Sequence, residues 1–167
     1  YLERARDRIV NSRNIIRECA LNNGYDYFLS LEQDVIPPKD IIERLLRHEK
    51  DIVSGVYFKE FVTKDGMKKI LPLLYNSKEG YEYLYQLGKD EVSDDKFMLV
   101  KGCGLGCVLI KRNVLTKITF RYDIKSEAFD DMWFSYDVNS NGFNIYTDTS
   151  VKCRHLTKEM KWNKIKK

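Results

Sequence analysis

No stretch of this chain approaches the roughly 18 uninterrupted apolar residues that a membrane-spanning helix needs, so no such helix is predicted. Charge of one sign is also scarce. The 29 basic and 25 acidic residues leave a net +4, too little to imply a nucleic-acid partner, and none is expected. Much of that excess lies in Lys158–Lys167, where five of ten residues are lysine. Such a tail is usually solvated, although it could also touch an anionic substrate or a membrane surface.

Cysteine is sparse as well. Cys19, Cys103, Cys107 and Cys153 are too few and too scattered for a small secreted disulfide scaffold, so free thiols in a cytoplasmic setting are expected. Two alternatives stay open. A zinc site could draw on Cys103, Cys107, Cys153 and His155, although the first pair lacks the C-x₂-C knuckle, and a disulfide is conceivable. Phosphate-binding glycine loops are missing: neither a P-loop nor G-x-G-x-x-G occurs, and no repeat or low-complexity segment is visible. What remains is 167 residues, 43% apolar and 32% charged, read as one folded domain over 1–156 followed by the basic tail 157–167. The chain opens without Met inside a charged helical pattern, so a preceding N-terminal segment is expected.

The most informative stretch is Asp26-Tyr27-Phe28-Leu29-Ser30-Leu31-Glu32-Gln33-Asp34. Tyr27 to Leu31 is too short for a helix and reads as a buried strand. Glu32 and Asp34 follow its end, and Pro37-Pro38 turns the chain away. Residues two apart on an extended chain point the same way, so both carboxylates can aim at one spot beyond the strand's carboxyl end, where open α/β sheets bind ligands. Hard cations such as Mg²⁺ and Mn²⁺ take such oxygen ligands. An acidic pair in a solvated loop is the plainer alternative.

Around this strand the pattern alternates. Leu2 to Asn23 predicts a helix with Ala5, Ile9, Ile16, Cys19 and Ala20 inward, stopped at Gly24. Lys39 to Lys50 predicts a second helix with Ile41, Ile42, Leu45 and Leu46 inward, and Asp51 to Phe58 a second strand. Helix, strand, helix, strand calls for parallel strands with helical crossovers. Next come a polar turn at Phe61 to Gly66 and a tyrosine-rich hairpin, Ile70 to Tyr75 with Tyr81 to Leu87. Further strands are read at Phe97–Val100, Cys107–Ile110, Ile145–Asp148 and Val151–His155, with helices at Asn113–Ile118 and Phe129–Ser140.

Two other places could carry chemistry. Gly102, Gly104 and Gly106 alternate where a strand starts and could let the backbone approach a ligand. Asp130-Asp131 opens the late helix just before Met132-Trp133-Phe134. Asp130 could simply be the helix N-cap, but a cap does not account for two acids.

In order, Asn11-Ser12-Arg13-Asn14, D-Y-F-L-S-L-E-Q-D, K-G-C-G-L-G-C-V-L-I-K-R, F-D-D-M-W-F and G-F-N-I-Y-T-D-T-S-V-K-C-R-H resemble the glycosyltransferases of the GT-A fold, in particular the inverting family 2 type. The resemblance runs from Asn11 to His155. It implies an α/β fold with a Rossmann-like mixed sheet flanked by helices and a small antiparallel hairpin. It also implies metal-dependent, inverting transfer from a nucleotide-sugar donor to a hydroxyl acceptor.

The family's strand-end acidic triplet, usually Asp-x-Asp, holds the divalent metal that bridges the donor's diphosphate. Here Glu32 and Asp34 take its first and last places, with Mn²⁺ or Mg²⁺ as the expected cofactor. Asp130-Asp131 matches the family's late acidic pair, with Asp131 as general base. His155 matches a further metal ligand, and Arg13 falls near the nucleotide. Glu32, Gly102, Gly104 and Trp133 are expected against substrate, with the glycine amides free for sugar hydroxyls and Tyr81, Tyr83 and Tyr85 able to stack on an acceptor. The family's first, base-gripping strand is not found before Tyr1 and is expected to be missing. A nucleotidyltransferase and a non-catalytic nucleotide- or sugar-binding module are the alternatives, and the former's glycine- and lysine-rich loop is not visible. Contact with a membrane surface through the tail would make the protein peripheral there.

Overall fold

Ile52-Val53-Ser54-Gly55-Val56 is buried along its whole length, and the sheet is built outward from it. The structure is a computed structural model and describes residues 2–63, 65–78 and 84–156. Its first half runs α1 (Leu2–Asn22), β1 (Tyr27–Leu31), β2 (Val35–Ile36), α2 (Ile41–Leu46), β3 (Ile52–Val56), β4 (Phe58–Val62) and β5 (Lys68–Pro72). Then come β6 (Leu74–Ser77), β7 (Leu84–Gln86), β8 (Phe97–Val100), β9 (Gly102–Cys103) and β10 (Cys107–Lys111). The chain continues through α3 (Arg112–Lys117), α4 (Asp130–Ser140), β11 (Ile145–Lys152) and β12 (Arg154–His155). The fold is mixed α/β, with a five-stranded sheet ordered β1-β10-β3-β11-β8 and small antiparallel sheets beside it.

The expectation of parallel neighbours is corrected. Among the described residues only β3 and β11 pair in parallel; β10 lies antiparallel between β1 and β3, and β8 antiparallel on β11. The crossover through α2 therefore skips one strand position, which β10 fills later. Period-two alternation reports which face a residue takes, not which strand lies beside it. Ile52 and Val56 with Val108 and Ile110 enter the core cluster of Ala20, Val114, Leu115, Phe134 and Val138, from α1, α3 and α4. Val53 and Tyr57 with Cys107 and Leu109 enter the other, with Ile41 and Leu45 of α2. β1 is an edge strand and only half-buried, with Ser30 its one fully buried residue.

Helix α1 departs most from its pattern. Ile9, Ile16 and Cys19 are exposed, and Ala20 is the buried member of the expected stripe. Arg6, Arg13, Asn14 and Arg17 face inward instead, at helical spacing. Arg6 donates to Ser126 O and Glu127 O, Arg17 to Leu115 O and Ile118 O, and Asn14 both donates to Phe120 O and accepts from Phe120 N–H. These side chains satisfy loop carbonyls that secondary structure leaves unpaired. The helix ends as expected, with Gly24 at φ +73°, its N–H on Leu21 O and the Tyr25 N–H on Ala20 O.

Smaller corrections follow the same logic. α2 is only six residues, with Ile41 and Leu45 buried and Ile42 exposed, and Glu49 just beyond it takes φ +52°. The polar turn after β3 is the tip of a hairpin that β4 and β5 form, closed by Gly66 N–H on Thr63 O with Gly66 at φ +81°. β6 and β7 make an antiparallel hairpin, but of the expected first strand only Leu74 and Tyr75 belong to it, Ile70 to Pro72 lying in β5 against β4; Tyr81 and Tyr83 lie outside the described residues. The last two expected strands are one, β11, followed by β12 paired to β2. The basic tail, with its possible membrane contact, also lies outside the described residues. Among those described, no helix is long and apolar enough to cross a membrane.

Candidate functional site

Four elements converge where β1 ends. The turn after β1 carries Glu32 and Asp34, α1 presents Arg13, the first turn of α4 brings Asp130 and Asp131, and β12 brings His155. All six line one cleft of about 500 Å³. Its remaining walls are largely apolar and include Phe61, Leu73, Tyr75, Phe129 and Met132.

Arg13 is the hub. Its Nε donates to Asp130 at 2.6 Å, Nη1 to Ser30 Oγ at 2.9 Å and Nη2 to Glu32 at 2.7 Å. Ser30 in turn donates to Leu105 O at 2.6 Å, so one guanidinium fastens α1, β1 and α4 together. Its planar fork suits this task, since several donors lie in fixed directions. Glu32, expected as a metal ligand, has its Oε1 held by Arg13. Its other oxygen lies over Gly106, 2.9 Å from where a side chain there would begin. The extra methylene relative to aspartate supplies that reach. Asp130 is likewise a buried ion-pair partner of Arg13, not a free carboxylate, and Phe129 is the N-cap.

Asp131 has no ion pair among the described residues. Its Oδ1 accepts the Met132 N–H at 2.8 Å. Burial first, then the Asp130 and Glu32 carboxylates, push its pKa up to about 6, against the Met132 amide and Arg13, which lower it. A base poised there is ionised at neutral pH yet holds a proton far better than an ordinary aspartate. Its field is felt nearby: Tyr75 and Cys103 are each pushed up to about 12, mainly by burial, with Asp131 adding to both.

Across the cleft, His155 Nδ1 lies 2.9 Å from Phe58 O. A carbonyl can only accept, so Nδ1 carries the proton and, in the neutral ring, Nε2 presents a lone pair. Nε2 lies 3.3 Å from Asp34 Oδ2, a hydrogen-bonded ion pair when both ring nitrogens carry protons and a pair of facing acceptors when the ring is neutral. Two acceptors in such proximity fit a cation between them, and a histidine anchored through Nδ1 to a carbonyl is the usual support of a metal ligand. Among the described residues, however, no group of three or more His, Cys, Asp or Glu side chains could hold a metal unaided. Cys103, Cys107, Cys153 and His155 form no such group. Asp34 and His155 would leave most ligand positions to phosphate oxygens and water, as Mg²⁺ commonly does.

The glycines and Trp133 fall elsewhere. A side chain at Gly104 would overlap the Tyr57 hydroxyl, and one at Gly102 would come within 3.3 Å of Ser135 Oγ. The amides expected to be free for sugar hydroxyls are taken: Gly104 N–H by Leu73 O and Gly106 N–H by the Tyr57 hydroxyl at 2.9 Å. Gly104 and Gly106 admit Tyr57 to the floor of the cleft. Trp133 packs against Arg121, 4.2 Å from its ring centroid, and Tyr136. Its neighbours Phe129 and Met132 line the cleft in its place.

Sequence reasoning missed Tyr57, Lys59 and Phe61. The last two stand on the cleft side of β4, with the Lys59 ammonium 5.9 Å from the Phe61 ring. Their signal was the alternation Phe58-Lys59-Glu60-Phe61, hidden because the segment was taken for the way into a turn.

No protein-family model matches the chain, and no curated protein matches it. Among solved structures, the crystal structure of A197 from STIV is similar, with a TM-score of 0.56 and 23% sequence identity, over 90% of this chain and 69% of that chain. At that identity the likeness is one of fold alone.

Proposed function

We propose that this chain is a GT-A fold glycosyltransferase that moves a sugar from a nucleotide-sugar donor to a hydroxyl acceptor with inversion. The observation that carries the reading is the presence, in one cleft, of a buried Asp131 whose pKa is pushed up to about 6 and of the Asp34 and His155 side chains 3.3 Å apart.

The chemistry asks for those groups. A sugar hydroxyl is a weak nucleophile, and Asp131 accepts its proton as it attacks the anomeric carbon. Direct displacement by the acceptor inverts that centre. Asp34 and His155 are the side chains that would hold Mn²⁺ or Mg²⁺, which when bound offers positive charge to a departing diphosphate. Lys59, on the same wall, adds a cation of the chain's own. Asp130 and Glu32 keep Arg13 in place and, as carboxylates, help to keep Asp131 basic.

A thermal-shift screen of nucleoside diphosphates with and without Mn²⁺ tests the donor half of this reading, because a ligand that binds only the folded chain raises its apparent stability. A Mn²⁺-dependent rise with at least one diphosphate is expected. No rise with any of them would count against the reading.

A further inference from the structure

Beneath the cleft, β3 has a gap in its side-chain row at Gly55. A side chain placed there would meet Val151 Cγ1 at 2.9 Å and Cys107 Sγ at 3.2 Å. Cys107 opens β10 on one side of β3, and Cys153 follows β11 on the other, held by its N–H on Val56 O at 2.7 Å. Both are buried in the same core cluster, and their thiols are near enough to perturb one another's charge. Strands on either side of a central strand are ordinarily too far apart for their side chains to touch. Here Val151 and the Cys107 thiol occupy the space beside Gly55, and the register shift in β11 before Lys152 precedes Cys153, which packs into the same cluster. Cys153 also has a way in from outside: it lines a second cavity of about 490 Å³ between β4–β5 and β12.

We propose that Cys107 and Cys153 are a redox pair that a peroxide closes into a disulfide across the gap at Gly55. One thiolate attacks a peroxide oxygen, the O–O bond breaks, and a sulfenic acid forms with release of water. The second sulfur then displaces the sulfenic hydroxyl as a second water and forms the S–S bond. Two thiols and one hydrogen peroxide thus become one disulfide and two waters, with sulfur oxidised and peroxide reduced. Cys153 lies two residues before His155, and Cys107 follows Gly106, whose amide holds Tyr57. The bond would therefore tie together two walls of the cleft. The inference does not depend on sugar transfer.

The test uses the native wild-type chain and hydrogen peroxide alone. After a brief treatment the protein is denatured, its remaining thiols are alkylated, and non-reduced peptides are mapped by mass spectrometry. The expected product is lighter by two hydrogens, carries a Cys107–Cys153 cross-link and is alkylated at Cys19 and Cys103; a reductant restores all four thiols. In Cys107→Ser the cross-link is absent and a sulfenic-acid trap such as dimedone labels Cys153. Four alkylated thiols after peroxide, a cross-link through Cys19 or Cys103, or over-oxidised cysteine without a cross-link would each overturn the proposal.

Discussion

Arg13 and Asp130 meet at 2.6 Å across the floor of the cleft, and their pairing leaves Asp131, the next residue, as the carboxylate without a cation of its own. Glu32, Asp130 and Asp131 gather around the one guanidinium of Arg13, in a cleft that Asp34, Glu127 and Lys59 also line. Geometry gives the guanidinium to Asp130 and Glu32, so the excess negative charge falls on Asp131. A structural task and a chemical task are thereby divided between adjacent residues.

Removing Arg13 should be costly. Arg13→Met strands a buried Asp130 and frees Glu32, and should destabilise the chain by about 3 kcal/mol, the scale for leaving one partner of a buried pair alone. Arg13→Lys keeps the charge but not the fork and should recover only part of that loss. Urea unfolding of the three proteins measures it, and equal stabilities would remove Arg13 from its role as hub.

Asp131 should show opposite effects on stability and activity. Its folded pKa, up to about 6, lies above the unfolded value near 4, so the folded chain binds this proton more tightly. Stability from this group is fully present below about pH 4, declines as pH rises to about 6, and is absent above. Asp131→Asn should therefore be more stable than wild type at pH 7, by about 2 kcal/mol, with the advantage gone by about pH 4. Wild-type transfer should fall as pH drops through about 6, because the base must be ionised. Urea unfolding across pH, beside a pH–rate profile, measures both.

The Asp34–His155 pair makes a separate prediction. His155→Ala and Asp34→Ala should each weaken Mn²⁺-dependent binding of a nucleoside diphosphate by roughly tenfold to a hundredfold or more, as losses around metal sites commonly do. Both residues lie at element ends and not in the core, so folding should survive. Calorimetry with and without Mn²⁺ gives the comparison, and Mn²⁺-dependent affinity unchanged in both variants would remove the pair from the site.

Tyr57 and Gly104 should be coupled. Gly104→Ala drives a methyl into the Tyr57 hydroxyl and should cost about 1–3 kcal/mol by overpacking. Tyr57→Phe removes that oxygen but leaves the Gly106 N–H without its acceptor. In the double variant the clash is reduced, so its loss should be smaller than the sum of the single losses, and a double-mutant cycle by urea unfolding reads the difference. Strict additivity would place the two groups apart.

Much of this was legible in the sequence because it is local. The apolar run Tyr27–Leu31 ending in acids marked β1, and Asn22-Asn23-Gly24 and Asn141-Gly142 marked helix ends where the glycines take φ +73° and +78°. The order of motifs pointed to Arg13, Asp34, Asp131 and His155, which the fold does bring to one cleft. What was hidden depends on partners far along the chain. The inward face of α1 is polar because carbonyls at the end of α3 (Leu115) and in the segments after it (Ile118, Phe120 and Ser126) need donors, and no apolar periodicity announces that. The glycines at 102–106 looked like a ligand cradle, and the residue that fills the space beside them, Tyr57, is almost fifty positions earlier. The same limit applies to β10, whose place between β1 and β3 is a matter of tertiary pairing.

Release of nucleoside diphosphate from a panel of nucleotide sugars with Mn²⁺, comparing wild type with Asp131→Asn, tests the central claim most directly. The account predicts that at least one donor is consumed by wild type, that omitting the metal stops it, and that Asp131→Asn still binds that donor while turning it over at least about a hundredfold more slowly. Equal turnover by the two proteins, or donors that bind to wild type and are never consumed with any hydroxyl acceptor or water, would contradict it.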